Sequence, residues 1–160
     1  MCNDIADSAF ESMCVGCTGE EQPACSILVS GGTGKKIPYP VTGGGIPFGP
    51  DIVSVGEIAT HTSGSGEFII NRTGRYTINY QVTIEQADTG SATPCQATVI
   101  LSSDRRGRLD CALLTARRDS LSRALTITLE AGEKISLGFG DPSYQNITAV
   151  DPVIIIRRVE

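Results

Sequence analysis

The chain has 160 residues, a formal net charge of −5, 40% hydrophobic residues and a single histidine. This length favours one domain, and the apolar content is typical of a globular protein. One histidine disfavours catalytic triads and histidine-rich metal sites. The glycines have no every-third-residue period, which excludes a collagen stem, and no run of 18 apolar residues predicts a membrane helix.

The charge is unevenly distributed along the chain. The first 34 residues hold five acids and no lysine or arginine, whereas the remaining 126 hold 13 acids and 13 bases. A neutral body argues against electrostatic binding of nucleic acid. The one locally basic run holds Arg105, Arg106 and Arg108, and its flanking Asp104 and Asp110 indicate a solvated loop.

Residues 1–25 are short, acidic and weakly periodic, so we interpret them as an N-terminal arm. They contain four of the six cysteines: Cys2, Cys14, Cys17 and Cys25. A structural zinc site needs two closely spaced pairs, and only Cys14 and Cys17 form one, so disulfides or free thiols are favoured over zinc. The N-terminus has neither the basic nor the apolar region of a secretory signal. We therefore expect synthesis in a cytoplasm and later oxidation.

The body offers few further site residues. Cys95 and Cys111 lie in apolar strand patterns, so buried, inert thiols are expected, and a bridge between them requires neighbouring strands. His61 lies in a Thr/Ser/Gly stretch and is expected to be an exposed loop residue, not a general base. Solvated charges are favoured over calcium ligands for three aspartates, Asp104, Asp141 and Asp151. No catalytic or metal constellation can be assembled, so the sequence predicts a non-enzyme without a cofactor.

Alternating hydrophobicity predicts strands throughout the body. In 74–85 the residues Tyr76, Ile78 and Tyr80 lie on one face and polar residues on the other, which is the pattern of a half-buried strand. The segments 121–130 and 133–140 alternate similarly, and the short connection between them predicts a hairpin. Other strand candidates are 26–30, 46–48, 52–59, 67–72, 96–102, 109–116 and 145–149. Recurrent short strands indicate an all-β sandwich.

The last strand is apolar on both faces, through Val153, Ile154, Ile155 and Ile156. An antiparallel sheet normally exposes one face to water, so the second face of this strand needs a cover. A covering loop and a subunit interface both satisfy this requirement.

The segment Phe68–Tyr80 resembles the aromatic signature of the complement component 1q head and tumour-necrosis-factor superfamily. Phe68, Gly74, Tyr76 and Tyr80 match the signature, and Ile78 replaces its usual Phe. We expect Gly74 to permit a tight turn with positive φ, and the large side chains to fill a jelly-roll core. The segment Leu125–Leu137 resembles the late hairpin of the same superfamily. The ending, 149–160, and the early segment that begins at Ser26 are similar to the C-terminal domains of bacterial exosporium collagen-like glycoproteins.

The resemblance implies a ten-strand antiparallel jelly-roll sandwich over 26–160, preceded by an extended N-terminal arm, 1–25. It also implies a homotrimer, with Val153, Ile154, Ile155 and Ile156 as interface candidates. The arm resembles in design the Cys-bearing connectors of Bacillus endospore appendage fibre subunits, which implies that Cys2, Cys14, Cys17 and Cys25 lie at joints between subunits.

The sequence therefore leads to a structural hypothesis and one rival. In the first, the chain is a self-assembling spore-surface fibre subunit, built in the mother-cell cytoplasm, whose partners are its own copies and a spore anchor or tip protein. In the second, it is a trimeric ligand- or receptor-binding head, with 86–95 or 140–148 as the recognition loops. Neither requires nucleic acid, a membrane or a cofactor.

Overall fold

The structure, a computed structural model, describes residues 26–38, 45–86, 97–114, 118–140 and 147–159. Two antiparallel sheets make up this part of the chain. Within these ranges there are eleven strands. They are β1 (Ile27–Gly32), β2 (Ile37–Pro38), β3 (Phe48–Val55), β4 (Ala59–His61), β5 (Glu67–Ile70), β6 (Gly74–Gln86), β7 (Ala97–Ser103), β8 (Gly107–Leu114), β9 (Arg118–Leu129), β10 (Lys134–Gly140) and β11 (Ile147–Arg158).

The strand order is that of a jelly roll. The first sheet runs β3-β1-β11-β6-β9, with the two-residue β2 added to β11, and the second runs β4-β5-β10-β7-β8. The all-β jelly-roll prediction is confirmed, although the described ranges hold eleven strands, one more than the ten expected. Within the described ranges, no helix is long and apolar enough to cross a lipid bilayer.

The aromatic segment fills the core, as the sequence predicts. Tyr76, Ile78 and Tyr80 alternate along β6 and are at most 1% exposed. Phe68 reaches the same core from β5 in the second sheet and lies edge-on to Phe48, with ring centroids 5.2 Å apart. Burial of these large side chains between the sheets is the main force that holds them together.

Gly74 differs from its expected role. It is the first residue of β6 and pairs with Leu129 of β9, and it is not among the residues of positive φ. The chain crosses between the sheets over residues 71–73, where the Asn71 amide donates to the Ile58 carbonyl at 2.8 Å. The prediction of a positive-φ turn at Gly74 is therefore wrong, because the change of sheet precedes the glycine.

The segments 121–130 and 133–140 are strands, but they do not form a hairpin. β9 pairs with β6, whereas β10 pairs with β5 and β7 in the opposite sheet. The turn between them bonds instead to β5: the Gly132 amide donates to the Ile70 carbonyl and the Ile70 amide donates to the Glu133 carbonyl. Alternation shows which face of a strand is buried but not which strand lies beside it.

The predicted segments 145–149 and 153–156 join into the single strand β11. A bulge at Asp151 and Pro152 interrupts its pairing with β6, and Asp151 has a φ of 46°. Proline cannot donate to a sheet ladder, so its place in a central strand is at such a bulge. Residues on either side of the bulge keep their inward and outward alternation.

Candidate self-association surface

The last strand divides its four aliphatic residues between two environments. Ile154 and Ile156 point into the core of their own chain and are 0% exposed, so they cannot contact a second subunit. Val153 and Ile155 lie on the opposite, outer side of the sheet and are half-buried. The interface prediction is therefore corrected for Ile154 and Ile156, and only Val153 and Ile155 remain as candidates.

The outer side of the first sheet carries a group of aliphatic residues that the sequence did not bring together. The ladders place Val29 opposite Ile155 and Val53, and place Ile27 opposite Val55. We call this group the β1–β3–β11 face. Its half-buried members are Val29, Val53, Val55, Val153 and Ile155, and Ile27 lies on the same side but is only 4% exposed.

A depression of about 210 Å³ lies in this surface, between β1, β11 and β6. Ile27 and Ile155 form its apolar wall, and Thr77 and Asn79 of β6 form its polar wall. Arg157 also lines it. The outer surface is thus recessed where β11 meets β6.

The outer side of β6 and β9 is polar but largely uncharged. Hydroxyl pairs cross the ladder, with Thr77 Oγ1 3.2 Å from Thr126 Oγ1 and Thr83 Oγ1 2.7 Å from Ser120 Oγ. On β6 the charged residues are Arg75 and Glu85, which stand at the two ends of the strand. The centre of the outer surface therefore carries little charge that would have to be desolvated on association.

One end of this surface is marked by an ion-pair cluster. The Lys36 Nζ donates to Glu85 Oε2 at 2.5 Å, and Arg118 Nη1 lies 3.5 Å from Glu85 Oε1. The hydrogen bond from Lys36 lowers the pKa of Glu85, so its carboxyl stays ionised at neutral pH. Such exposed pairs contribute little stability and mainly set the local charge pattern.

The arginine run is engaged in the structure, not merely solvated. Arg106 Nε donates to Glu133 Oε1 at 3.1 Å, and Arg105 Nη1 donates to Glu130 Oε2 at 2.8 Å. Glu133 is fully buried and also accepts from Ser103 Oγ and from the Glu130 amide. These bonds attach the β7–β8 turn to the β9–β10 turn. No sequence signal distinguished Glu133 from an ordinary turn residue.

His61 is the clearest departure from expectation. It lies on β4, and its side chain is 0% exposed. Its Nδ1 is 2.8 Å from Asp51 Oδ1, its Nε2 is 3.0 Å from the Ser65 carbonyl oxygen, and its ring stacks on Phe68 at 4.3 Å. The prediction of an exposed loop residue is wrong, because three neighbours that are not adjacent in sequence enclose it. Nε2 faces a carbonyl oxygen and no nucleophile.

Most of the cysteines lie outside the described residues. Cys2, Cys14, Cys17, Cys25 and Cys95 lie there, so the arm pairing and the Cys95–Cys111 bridge stay predictions. Cys111 is exposed on the edge strand β8, which contradicts the expected burial. Cys111 pairs with Ile100 of β7, and its side chain points away from the core.

Two of the three aspartates for which calcium was the alternative lie within the described residues. Asp104 Oδ1 accepts from the Lys134 amide at 2.9 Å, Asp151 is exposed at the bulge, and Asp141 lies outside the described residues. In the part of the chain that the structure describes, no group of three or more His, Cys, Asp or Glu side chains could hold a metal ion.

No protein-family model and no curated protein matches the sequence. Solved structures do match its fold. The globular domain of zebrafish complement 1qA is 13% identical with a TM-score of 0.60, covering 84% of this chain and 98% of that one. The Eiger TNF from S. frugiperda is 14% identical with a TM-score of 0.62, covering 86% and 94%. Murine APRIL is 13% identical with a TM-score of 0.59, covering 82% and 99%.

These likenesses extend over nearly the whole of each matched domain, at identities that show the fold alone. The chain has the jelly-roll fold of the C1q and TNF-like domains. This agrees with the resemblance that the Phe68–Tyr80 segment carries.

Proposed function

We propose that the chain is a self-assembling structural subunit. Three jelly rolls associate through the β1–β3–β11 face, and the 1–25 arm joins one trimer to the next in a fibre on a bacterial spore surface. A fold does not assign a function. The observation that carries the proposal is the aliphatic group on the outer side of the first sheet.

That group is unusual for a sheet surface. An antiparallel sheet normally packs one side on the core and presents polar residues on the other. Here three adjacent strands, β3, β1 and β11, carry aliphatic residues on the outer side, and β6 continues the surface with uncharged polar residues. Depletion of charge at the centre of a patch is characteristic of protein interfaces. The number of three copies rests on the family resemblance.

The point at which the arm joins the domain supports its proposed role as a connector. The Ser26 carbonyl accepts from the Arg158 amide at 3.0 Å, so the 25 residues before Ser26 begin at the end of the sandwich where β11 finishes. An extended segment of that length spans up to about 80 Å. The 13 residues of β6 span only about 43 Å. The arm can therefore reach a copy stacked beyond either end of the domain.

A contact of this kind joins two different surfaces, so it propagates instead of closing. The acidic character of the arm and its four cysteines give it two ways to hold a neighbour, by charge and by disulfide exchange. Charge attraction and disulfide exchange would both act between the arm of one subunit and the neighbouring subunit.

Charge substitution tests the proposed face. Val29 and Ile155 are cross-strand neighbours on it, and the double variant Val29→Asp with Ile155→Asp places two carboxylates there. Leu113→Asp is the matched control, because Leu113 is 59% exposed on β8 of the other sheet. Unpaired charges buried at an interface cost about 3–5 kcal/mol, so association should weaken by about 100-fold or more. Sedimentation velocity at several concentrations measures it.

If the double variant is monomeric and Leu113→Asp assembles like the wild type, the result supports the β1–β3–β11 face as the site of association. Equal assembly of both variants refutes it. Circular dichroism confirms that each variant is folded, since both substitutions lie on outer sides of the sandwich.

Electron microscopy tests the fibre. The full chain should form filaments, and a chain starting at residue 26 should form discrete particles. Filaments from the shortened chain would refute the role of the arm. Loss of filaments in reductant would assign the joints to the arm cysteines.

The rival is a trimeric recognition head. It predicts isolated three-lobed particles from the full chain with and without reductant, and a separate binding partner. No observation in the structure favours it. The spore-surface location rests on the sequence resemblance, and antibody labelling of intact spores from the source organism tests it.

A further inference from the structure

The two sheets end in four edge strands, and three of them are poor templates for a further strand. β3 contains Pro50 and two register shifts against β1, β4 has three residues, and β8 has a register shift against β7. Such features protect a sheet edge against pairing with another chain. β9 lacks them, because its 12 residues contain no proline and pair with β6 without a shift. β9 is therefore the long and regular edge of the sandwich.

The direction of the backbone groups of β9 follows from its neighbour β6. The Val159 amide, just beyond β11, donates to the Arg75 carbonyl at 2.8 Å, so Arg75 turns its backbone groups towards β11. Because these directions alternate along a strand, Tyr76 turns its groups towards β9, and its partner Ile127 turns its own towards β6. The alternate residues of β9 therefore point their N–H and C=O groups away from the sheet.

Five residues of β9 belong to this outward series, namely Ser120, Ser122, Ala124, Thr126 and Thr128. The Ser120 amide agrees with this direction, since it donates to Asp119 Oδ1 at 2.9 Å. The structure describes no backbone partner for the outward groups of the other four, and all four residues are exposed. Their side chains are small and uncharged, so a further strand can approach this edge closely.

The edge is complementary to itself in the antiparallel direction. We consider the register in which Ala124 lies opposite Ala124 of a second copy. The facing pairs are then Ser120 with Thr128, Ser122 with Thr126, and Arg118 with Glu130. On the inner side, Arg123 faces Leu125 and Asp119 faces Leu129. Opposite charges thus meet at both ends, and no two like charges face each other.

The end residues are available for such a contact. Arg118 Nη1 lies 3.5 Å from Glu85 Oε1, and Glu130 Oε2 accepts from Arg105 Nη1 at 2.8 Å. The side chains of Arg118 and Glu130 are 73% and 58% exposed, and exposed ion pairs of this kind are weak. Each can therefore share its charge with a second copy.

We propose that the β9 edge binds the β9 edge of a second copy about a two-fold axis at Ala124, so that two first sheets join into one. β6 and β11 separate β9 from β1 and β3, so this surface is distinct from the β1–β3–β11 face. About six main-chain hydrogen bonds form. Because the costs of association offset most of their net contribution, we expect a Kd of about 1 mM. On a fibre of the kind proposed above, many edges act together and hold fibres side by side.

Amide hydrogen exchange, followed by nuclear magnetic resonance, tests the contact directly. The full chain carries Val29→Asp with Ile155→Asp and is kept in reductant, so that the proposed face and disulfide joints do not contribute. If that face is not used in association, this background behaves as the wild type and the test still holds. Between about 0.02 mM and about 2 mM, the outward amides of β9 from Ser122 to Thr128 should slow by about twofold or more. Unchanged rates would overturn the proposal.

A charge on the two-fold axis should separate the copies. Ala124→Lys in the same background places two like charges opposite each other and should raise the Kd by about fivefold or more. Gln81→Lys is the matched control, because Gln81 is exposed on the same side of the sheet but lies on β6, one strand in from the edge. Equal Kd values for the two variants would count decisively against the β9 edge.

A charge exchange tests the register. Arg118→Glu brings two carboxylates together at each end of the paired edges and should raise the Kd by about threefold or more. The further substitution Glu130→Arg restores opposite charges and should recover the original Kd. Arg118 and Glu130 stand at opposite ends of β9, about 40 Å apart in one chain, so recovery requires a second copy. A double variant that pairs no better than Arg118→Glu would refute the two-fold pairing.

Discussion

The Tyr80 hydroxyl donates a hydrogen bond of 2.8 Å to Asp110 Oδ2, which links the centre of one sheet to the edge of the other. Arg123 of β9 completes the group with two further bonds to the same carboxylate, from Nε at 2.9 Å and Nη2 at 2.8 Å. Burial raises the pKa of Tyr80, and the bond to Asp110 raises it further. The sandwich is therefore closed at its β8–β9 rim by a charge-assisted network.

Asp110→Asn should destabilise the domain by about 1–3 kcal/mol at neutral pH, because Tyr80 and Arg123 lose a charged acceptor. The hydrogen bonds from Arg123 lower the pKa of Asp110 in the folded state. The unfolded state therefore takes up a proton first on acidification, and the contribution is lost as pH falls through the lowered pKa.

Urea unfolding of wild type and Asp110→Asn between about pH 7 and about pH 3 measures this difference. The difference in the free energy of unfolding between wild type and Asp110→Asn should become smaller towards about pH 3. Asp119→Asn is the control, since the described bond of Asp119 is to the adjacent Ser120 amide. A gap that is constant with pH would contradict the assignment.

Two glutamates of the β9–β10 turn should differ sharply on truncation. Glu133→Ala removes a buried carboxylate and leaves Arg106, Ser103 and the Glu130 amide without their acceptor, so a loss of about 3 kcal/mol or more is expected. Glu130→Ala removes a 58% exposed partner of Arg105 and should cost less than about 1 kcal/mol. Denaturant titration of both variants at one pH compares them, and similar losses would refute the structural role of Glu133.

Phe68→Ala and Ile69→Ala test which side chains of β5 point into the core. Phe68 is 0% exposed between Phe48 and His61, and its truncation should cost about 3–5 kcal/mol. Ile69 is the next residue, points outward and is 37% exposed, so its truncation should cost less than about 1 kcal/mol. Chemical unfolding distinguishes the two, and a reversed order would show that the register of β5 is wrong.

Gly49→Ala should destabilise the β1–β3 ladder. A Cβ at Gly49 would lie 2.7 Å from the Gly32 carbonyl oxygen, which is backbone and cannot move without disturbing the pairing. At Gly31 the nearest atom is the side-chain end of Ile52, at 3.1 Å. Because Ile52 is 68% exposed, it can rotate away, and Gly31→Ala should be tolerated. A loss of about 1–3 kcal/mol for Gly49→Ala alone is expected in thermal unfolding.

The sequence was sufficient to predict most of the strands and the buried side of most of them, but not the short β2 and β4. Alternation along 74–85 placed Tyr76, Ile78 and Tyr80 in the core, because successive side chains of a strand point to opposite sides whatever the strand pairs with. The Phe68–Tyr80 segment also indicated the jelly roll, since its large residues supply the core of that fold.

Pairing, and the sites that depend on it, required the tertiary structure. The segments 121–130 and 133–140 are adjacent in sequence yet belong to opposite sheets, and the apolar side of each faces the common core between the sheets. The same arrangement places Ile154 in the core and Ile155 on the outer side of the first sheet, where Val29 is its cross-strand neighbour.

The amino-acid sequence by itself determined where the longer strands lie and which of their sides avoid water. Only the tertiary structure decided that His61 meets Asp51 and that Glu133 meets Arg106, since each contact joins segments whose local patterns carry no signal of the other. A side-chain period is a local property of the backbone, whereas a buried polar pair depends on where two distant segments are brought together.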